Sequence, residues 1–414
     1  MAKSLGLAAY RALSRRNQAG LAQWQFPPRP TGELVWMHAT DHMRFDALGD
    51  IAARMRQQRP DIHVLVTFDR AAMEHPSPDG SPDGVDWVFG LESDHPSGGR
   101  PFIDHWLPDV CLWAGGRFMI NLVNCASEHG IPMILCDVSE ADMQPHRRSW
   151  IPTLARTTLD FFDKIVVNND STLHAIRRLG ITADKLSVAP RLRPSALPPD
   201  CLSQDLDDVM NDLGGRPVWL GVKVLGSEID MVLTAHRTAM RLAHRLLLIL
   251  TLADRNDLEV LKAKVTARQL RYADWDKGDP IEDNVQIIIC SDTADLGLWY
   301  RVAPLAFLAC SLEKDARGIS PLDAAALGSA IIYGPNVRAH IDSYSRLSAA
   351  GAARTVNDGE SLAAALIHLI APDHSAAMAL AGWEVVTESA ALTDGLIEQI
   401  IDGLDQKAAA HARP

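Results

Sequence analysis

Cysteine is sparse and shows no pairing pattern. Six residues (Cys111, Cys125, Cys136, Cys201, Cys290 and Cys310) are scattered over 414 positions with no C-x-x-C spacing. This spacing argues against a disulfide framework or a thiolate zinc site and points to reduced core thiols of a cytosolic protein. Long apolar runs are also lacking. None reaches the roughly 18 residues that a spanning helix needs, and the N-terminal stretch shows neither the apolar region nor the cleavage site of a secretory signal. Positive charge is outweighed, with 40 Lys and Arg against 52 Asp and Glu, a net charge of −12. A duplex-binding protein needs a basic footprint, so nucleic acid is not an expected partner. What remains is 47% apolar and 22% charged, the balance of a globular protein long enough for two domains.

Apolar runs alternate with amphipathic stretches along the whole chain. Strands are expected at Leu34–His38, Ile62–Thr67, Asp109–Trp113, Ile131–Cys136, Lys164–Asn168 and from Ser187. The second half adds Pro217–Gly221, Leu246–Leu250, Val285–Cys290, Leu305–Cys310 and Ala330–Gly334. Helices are expected between them, among others Asp46–Arg59, Trp150–Phe162 and Glu228–Leu242. Three helices close the chain, near Glu360–Ile370, Ser375–Glu388 and Leu392–Leu404. The stretch His75–Gly99, rich in Pro, Gly, Asp and Ser, reads as loop. Four prolines between Pro190 and Pro199 mark a linker. Continuous apolar strands, each followed by a helix, imply parallel sheets covered on both faces. The expected fold is therefore α/β, with two Rossmann-like domains, residues 1–195 and 196–414, facing a cleft. Ligands in such sheets bind beyond the carboxyl ends of the strands.

The most informative of those loops is Ser311–Leu327, which passes Gly318 and enters a helix through Ser320-Pro321-Leu322-Asp323. Ser320 suits the N-cap and Pro321 the first helical position, and such a helix start is an anion site in waiting. Asp323 is suited to ligand hydroxyls such as those of a ribose. The competing reading is ordinary helix capping.

In order along the chain, SLGLAAYRALSRR, LVWMHA, HVLVT, FIDHWLPDVCLW, GIPM, GGRPVWL, LLLIL, LGLWYRVAPLAFL, SPLDAAALG and AGAARTV resemble the bacterial 3-deoxy-D-manno-octulosonic acid (Kdo) transferases, glycosyltransferase family 30. The resemblance implies a GT-B fold. It places the acceptor in the N-terminal domain and the nucleotide-sugar in the C-terminal one. Kdo would pass from CMP-Kdo to a lipid A precursor with inversion, without a metal or other cofactor.

Most of the matching stretches belong to the scaffold, and the chemical motifs have changed. The family's H-A-x-S-x-G-E loop, whose glutamate is its presumed general base, reads His38-Ala39-Thr40-Asp41-His42-Met43-Arg44. A guanidinium cannot serve as a base at neutral pH, so Asp41 or His42 is the candidate replacement. A T-G-T turn becomes Phe68-Asp69-Arg70. E-x-E-L-W-P-N becomes Gly115-Gly116-Arg117-Phe118-Met119-Ile120-Asn121, which loses both carboxylates. The candidate acceptor residues are accordingly His38, Arg44, Arg117 and Asn121. On the donor side S-T-H-x-G-E reads Lys223-Val224-Leu225-Gly226-Ser227-Glu228, and P-R-H reads Leu252-Ala253-Asp254. G-G-H-N-P-L-E reads Arg317-Gly318-Ile319-Ser320-Pro321-Leu322-Asp323, and Thr293 and Asp295 resemble the D-T-x-x-E-L loop. The candidate donor residues are Lys223, Thr293, Asp295, Gly318, Ser320 and Asp323.

Leu5–Leu13, with Arg11, Arg15 and Arg16, is a small basic amphipathic segment. It suits either peripheral contact with the cytoplasmic face of an inner membrane or packing on its own domain. Trp106, Trp113 and Trp150 read as packing residues, and Pro145-His146-Arg147-Arg148 as a solvated basic patch. Two readings of function follow. One is a sugar transferase working from a nucleotide-sugar (CMP-Kdo or related) onto a lipid or glycan acceptor. The other is a GT-B pseudoenzyme that binds a ligand or partner without transfer.

Overall fold

The computed structural model describes residues 5–14, 26–70, 72–73, 82–142, 152–315 and 317–411. It divides into two compact units, Met1–Ser195 with Glu388–Pro414, and Ala196–Thr387. In the first unit the strands are β1 (Leu34–Ala39), β2 (His63–Asp69), β3 (Trp87–Leu91), β4 (Val110–Ala114), β5 (Met133–Val138), β6 (Lys164–Val167) and β7 (Leu186–Val188). They form one sheet in the order β3-β2-β1-β4-β5-β6-β7, parallel throughout. β1, β4 and β5 are buried at every position. Their side chains alternate between two covered faces, which is why the sequence reads as unbroken apolar runs. Leu34 and Trp36 join Trp106 and Trp113 on one face. Val35 and Met37 join Phe45, Leu396 and Ile400 on the other.

The second unit repeats the plan with β8 (Val218–Val224), β9 (Leu247–Leu252), β10 (Tyr272–Asp274), β11 (Ile287–Cys290), β12 (Leu305–Leu308), β13 (Ala330–Tyr333) and β14 (Ala353–Thr355). Their order is β10-β11-β9-β8-β12-β13-β14, again all parallel. The chain is thus α/β, with two Rossmann-like units. In each, the strand order reverses beside the first strand, between β1 and β4 and between β8 and β12. These switch points are where open parallel sheets bind ligands.

Four expectations are corrected. The chain break falls between Ser195 and Ala196, but residues 388 onward belong to the first unit, not to the second domain expected over 196–414. The cause is one 40-residue helix, Pro372–His411, where two were expected. Its residues Leu392, Leu396, Ile400 and Leu404 recur at helical spacing and bury against the β1 face. The supposed loop His75–Gly99 contains β3. Gly90 stands in register with Phe68, whose ring lies 2.8 Å from where a Cβ would project. The helix expected from Asp46 begins at His42, because Asp41 caps it by accepting from Arg44 N at 2.9 Å. Finally, Ser320 is not the N-cap. Pro321 is, and the helix it opens, Leu322–Ala326, has only five residues.

Of the remaining features, Trp106 and Trp113 are fully buried. Trp150, Arg15, Arg16 and Pro145–Arg148 lie outside the described residues. Among the described residues no single helix is long and apolar enough to cross a membrane.

Candidate functional site

At the β1/β4 switch point the loop after β1 is fastened to the loop after β4. Thr40 Oγ1 donates to Ala114 O at 2.9 Å. Gly115 follows at φ +99°, and a Cβ there would lie 2.1 Å from Thr40 Oγ1 and 2.9 Å from the Arg44 guanidinium. Only glycine allows so close a contact at this backbone angle. Arg44 then fills the space. Its Nε donates to Asp137 Oδ2 at 2.8 Å, NH1 to Thr40 Oγ1 and Asp41 Oδ2, and NH2 to Asp137 O at 2.9 Å, with Asp142 Oδ2 at 3.6 Å. Four hydrogen bonds thus engage the guanidinium, and Asp142 adds a further ion pair. Burial works against the Arg44 charge, but Asp137, Asp41 and Asp142 outweigh it and raise its pKa. Arg44 is therefore a buried strut, which corrects its expected role as an acceptor-binding group. Asp41 is held by the same arginine. His42 is exposed on the first turn of the helix.

His38, the last but one residue of β1, is completely buried and stacks on Trp113 at 3.8 Å. Its Nδ1 meets Thr67 Oγ1 at 2.9 Å, while Nε2 has no partner. Burial drives its pKa down to about 3, so the ring is neutral. A pocket of ≈ 370 Å³ is lined by His38, Asp69, Glu92, Asp94, Arg117, Phe118 and others. The pocket brings two expected residues, His38 and Arg117, together. Arg117 pairs with Asp69 at 3.3 Å. Asn121 stands behind it: its Nδ2 donates to Asp94 O at 2.6 Å and to Ser14 Oγ at 3.0 Å.

Asp94 is the pocket residue the sequence concealed. Its carboxylate accepts from Tyr10 OH and Asn121 N, both at 2.9 Å, and from Leu122 N at 3.1 Å. It thus caps the helix Ile120–Glu128 from outside. Burial pushes its pKa up to about 6 against those hydrogen bonds. The signal was absent because Asp94 lies in a stretch that reads as featureless loop. The N-terminal helix Leu5–Ser14 supplies Tyr10, and Leu7 and Tyr10 pack on the same core. This is the second of the two readings for that segment.

The β8/β12 switch point is knit in a similar way. Lys223, next to last in β8, and Cys310, two residues past β12, both sit in left-handed backbone, at φ +51° and +54°. Lys223 N donates to Thr251 Oγ1 at 2.9 Å, Cys310 Sγ to Lys223 O at 3.1 Å, and Gly318 N to Cys310 O at 3.0 Å. Lys223 and Gly318 are therefore joined through Cys310. Glu228, nearly fully buried, accepts from Leu225 N at 3.2 Å and Cys310 N at 3.1 Å, which ties the two loops together. Its burial raises its pKa against these donors.

The other expected donor residues have their own structural attachments. Asp295 Oδ2 accepts from Trp275 Nε1 at 2.7 Å, and Thr293 O accepts from Leu296 N at 3.3 Å. Ser320 Oγ accepts weakly from Leu322 N at 3.4 Å. Asp323 Oδ1 accepts from Leu197 N at 3.0 Å, anchoring the proline-rich segment. Burial pushes its pKa up to about 6.

Known proteins bear on this arrangement. The sequence model of a family described as 3-deoxy-D-manno-octulosonic-acid transferase (kdotransferase) matches residues 13–196. The 3-deoxy-D-manno-octulosonic acid transferase of Haemophilus influenzae is 22% identical over 315 residues, 74% of this chain and 71% of that one. The enzyme of the same name from Rickettsia felis is 20% identical over 83% of this chain and 72% of its own length. Among solved structures, the C-terminal CMP-Kdo binding domain of WaaA from Acinetobacter baumannii is similar at 16% identity. It covers 44% of this chain and 96% of its own, with a TM-score of 0.42. The chain is thus similar in sequence to the Kdo transferases.

Proposed function

We propose that this protein is a Kdo transferase-like glycosyltransferase. It moves Kdo or a related sugar from a CMP-sugar to a lipid A precursor or similar acceptor at the cytoplasmic side of the cell. One observation supports the reading: each unit has candidate residues at its sheet's switch point, His38, Asp41 and His42 on or just after β1 and Lys223 near the end of β8, where the backbone turns left-handed at Gly115 and again at Lys223 and Cys310. His38, Arg117 and Asn121 would serve the acceptor. Lys223, Thr293, Asp295, Gly318, Ser320 and Asp323 would serve the donor. In the reaction the acceptor hydroxyl gives its proton to a base and its oxygen bonds to the anomeric carbon. The bond from that carbon to the phosphate oxygen breaks, and CMP leaves with the electron pair. Asp41 and His42 are the candidate bases on the first loop. For peripheral membrane contact through the helix Leu5–Ser14, Leu7 and Tyr10 are engaged with the core, while Leu13 is exposed.

The burial of Arg44 favours a second reading. The residue in the place of the family's glutamate is consumed by structure, as expected of a scaffold that binds a nucleotide without transferring sugar. Incubation of the full chain with CMP-Kdo and a lipid A-type disaccharide, read by mass spectrometry, tests both. A saccharide-bearing product supports transfer. Calorimetric binding of CMP without product supports the pseudoenzyme, and neither heat nor product sinks both.

A further inference from the structure

At the base of the first unit's sheet, opposite the carboxyl ends of its strands, a pocket of ≈ 350 Å³ opens between the starts of β4, β5 and β6 and the long helix Pro372–His411. Small-molecule sites span about 300–1,000 Å³. None of the candidate transfer residues lines it. The helix reaches it with Gln399, Asp402, Gly403 and Gln406, which recur at intervals of three and four and so share one face. Leu396, Ile400 and Leu404 bury on the sheet beside them, yet this stripe is polar. Gly403 lets the helix come close, since a Cβ there would lie 3.0 Å from Val110 Cγ2. The sheet supplies the opposite charge. Lys164, the first residue of β6, stands in register with Ile134, and Val166 follows it two positions on. Both of those residues belong to the core face that the helix covers, so Lys164 projects on the helix side of the sheet. Asp163 is fixed beside it: its N–H donates to Met133 O, and Met133 N donates to its Oδ2, both at 2.9 Å. Other charges of the helix are paired within the unit, Asp394 with Arg54 at 2.8 Å, Asp405 with Arg59 at 2.9 Å and Lys407 with Asp109 at 2.8 Å. The side chains of Asp402 and Lys164, by contrast, make no hydrogen bond or ion pair among the described residues. A cation and an anion thus stand exposed on two walls of one cavity without meeting. Ile131, Pro132 and Phe161 add an apolar surface to its lining.

We propose that this pocket binds a free α-amino acid with an apolar side chain. Its carboxylate meets Lys164, its ammonium meets Asp402, and its side chain lies on Ile131 and Phe161. A ligand of one charge answers only one wall, and a neutral ligand answers neither. A zwitterion answers both, because an ammonium donates to a carboxylate and a carboxylate accepts from a lysine. The site stands apart from the sugar-transfer reading, since it lies at the amino ends of the strands and shares no residue with the switch point.

Calorimetry on the full chain, with L-leucine as the probe, tests this. Leucine should bind with a Kd below about 1 mM. Three analogues should each bind at least about tenfold more weakly: leucinamide, which lacks the carboxylate, 4-methylpentanoate, which lacks the ammonium, and glycine, which lacks the side chain. Lys164→Met should weaken leucine and abolish its advantage over leucinamide. Asp402→Asn should weaken leucine and abolish its advantage over 4-methylpentanoate. Both side chains are exposed, so the circular dichroism and thermal midpoint of each variant should match the wild type. No leucine binding at about 10 mM, equal binding of any of the three analogues, or unchanged leucine affinity in either variant would each overturn the proposal. Leucine binding with no product in the separate transfer assay would defeat the transferase reading and leave this one standing.

Discussion

Arg44 donates its Nε–H to Asp137 Oδ2 at 2.8 Å, with both side chains almost wholly buried. The position that carries a glutamate in the resembled family thus holds the cation of an internal ion-pair cluster. A base cannot be restored there by a simple exchange. Asp137 itself sits at φ +53° at the end of β5, and Arg191 lies 3.9 Å from its other oxygen.

Arg44→Glu should therefore destabilise the protein instead of reviving it. The substitution leaves Asp137 buried beside a new like charge, and breaking a buried pair costs about 3–5 kcal/mol. Urea denaturation followed by circular dichroism should show a correspondingly lower midpoint for the first unit. Arg44→Met combined with Asp137→Leu should recover part of the loss, since an apolar pair of similar volume avoids the unpaired charge. An unchanged midpoint in Arg44→Glu would show that the cluster contributes nothing.

Gly115→Ala should be costly despite adding one methyl group. The residue is at φ +99°, and its Cβ would meet Thr40 Oγ1 at 2.1 Å. Backbone strain of this kind is worth about 1–3 kcal/mol before any clash. Adding Thr40→Ala should relieve the clash and leave the strain, so the double variant should fall between the wild type and Gly115→Ala in thermal midpoint. A double variant no more stable than the single one would place the cost elsewhere.

These two sites show what the sequence could and could not reveal. The parallel architecture was legible because β1, β4, β5 and most strands of the second unit are buried on both faces and so read as apolar runs. β3, β10 and β14 were not. They are edge or near-edge strands of five, three and three residues with few buried positions, and a short half-covered strand carries little pattern. The loops after the strands were legible as the place to look, because open parallel sheets bind ligands beyond the carboxyl ends of their strands. Their internal chemistry was not. Nothing in the order of residues says that Arg44 turns inward to Asp137, which is 93 positions away, or that Asp94 caps a helix from outside. Such pairings arise from the fold, and local patterning carries no trace of them.

His236 provides a pH-dependent test in the second unit. Its Nδ1 accepts from Trp219 Nε1 at 3.0 Å in the core, and burial lowers its pKa from 6.5 to about 3. The unfolded chain takes up the proton first. The stability tied to the neutral ring is therefore complete above pH 6.5 and lost as pH falls toward 3. Within that window the wild type should lose about 1.4 kcal/mol per pH unit relative to His236→Gln, which cannot titrate. Denaturation midpoints of the two proteins at several pH values provide the comparison. Parallel curves would mean that the folded ring accepts a proton without penalty.

Asp323 separates anchoring from ligand binding. Its carboxylate holds Leu197 N at 3.0 Å, and burial raises its pKa to about 6, above the 3.8 of an unperturbed aspartate. Here the sign is opposite to that of His236. The folded state binds the proton more tightly, so stability is present at low pH and is lost as pH rises through 3.8 toward 6. Asp323→Asn keeps an acceptor for Leu197 and removes the titration, so it should gain stability relative to the wild type across that window. Asp323→Ala also removes the acceptor, and should cost about 1 kcal/mol relative to Asp323→Asn at pH 7. If Asp323 also grips the ribose of a cytidine nucleotide, Asp323→Ala should weaken CMP about tenfold in calorimetry, a loss of roughly 1.4 kcal/mol. A stability loss with unchanged CMP affinity would restrict this residue to anchoring the proline-rich segment, and the donor contacts would then have to come from Lys223, Gly318 and the loop that Glu228 braces.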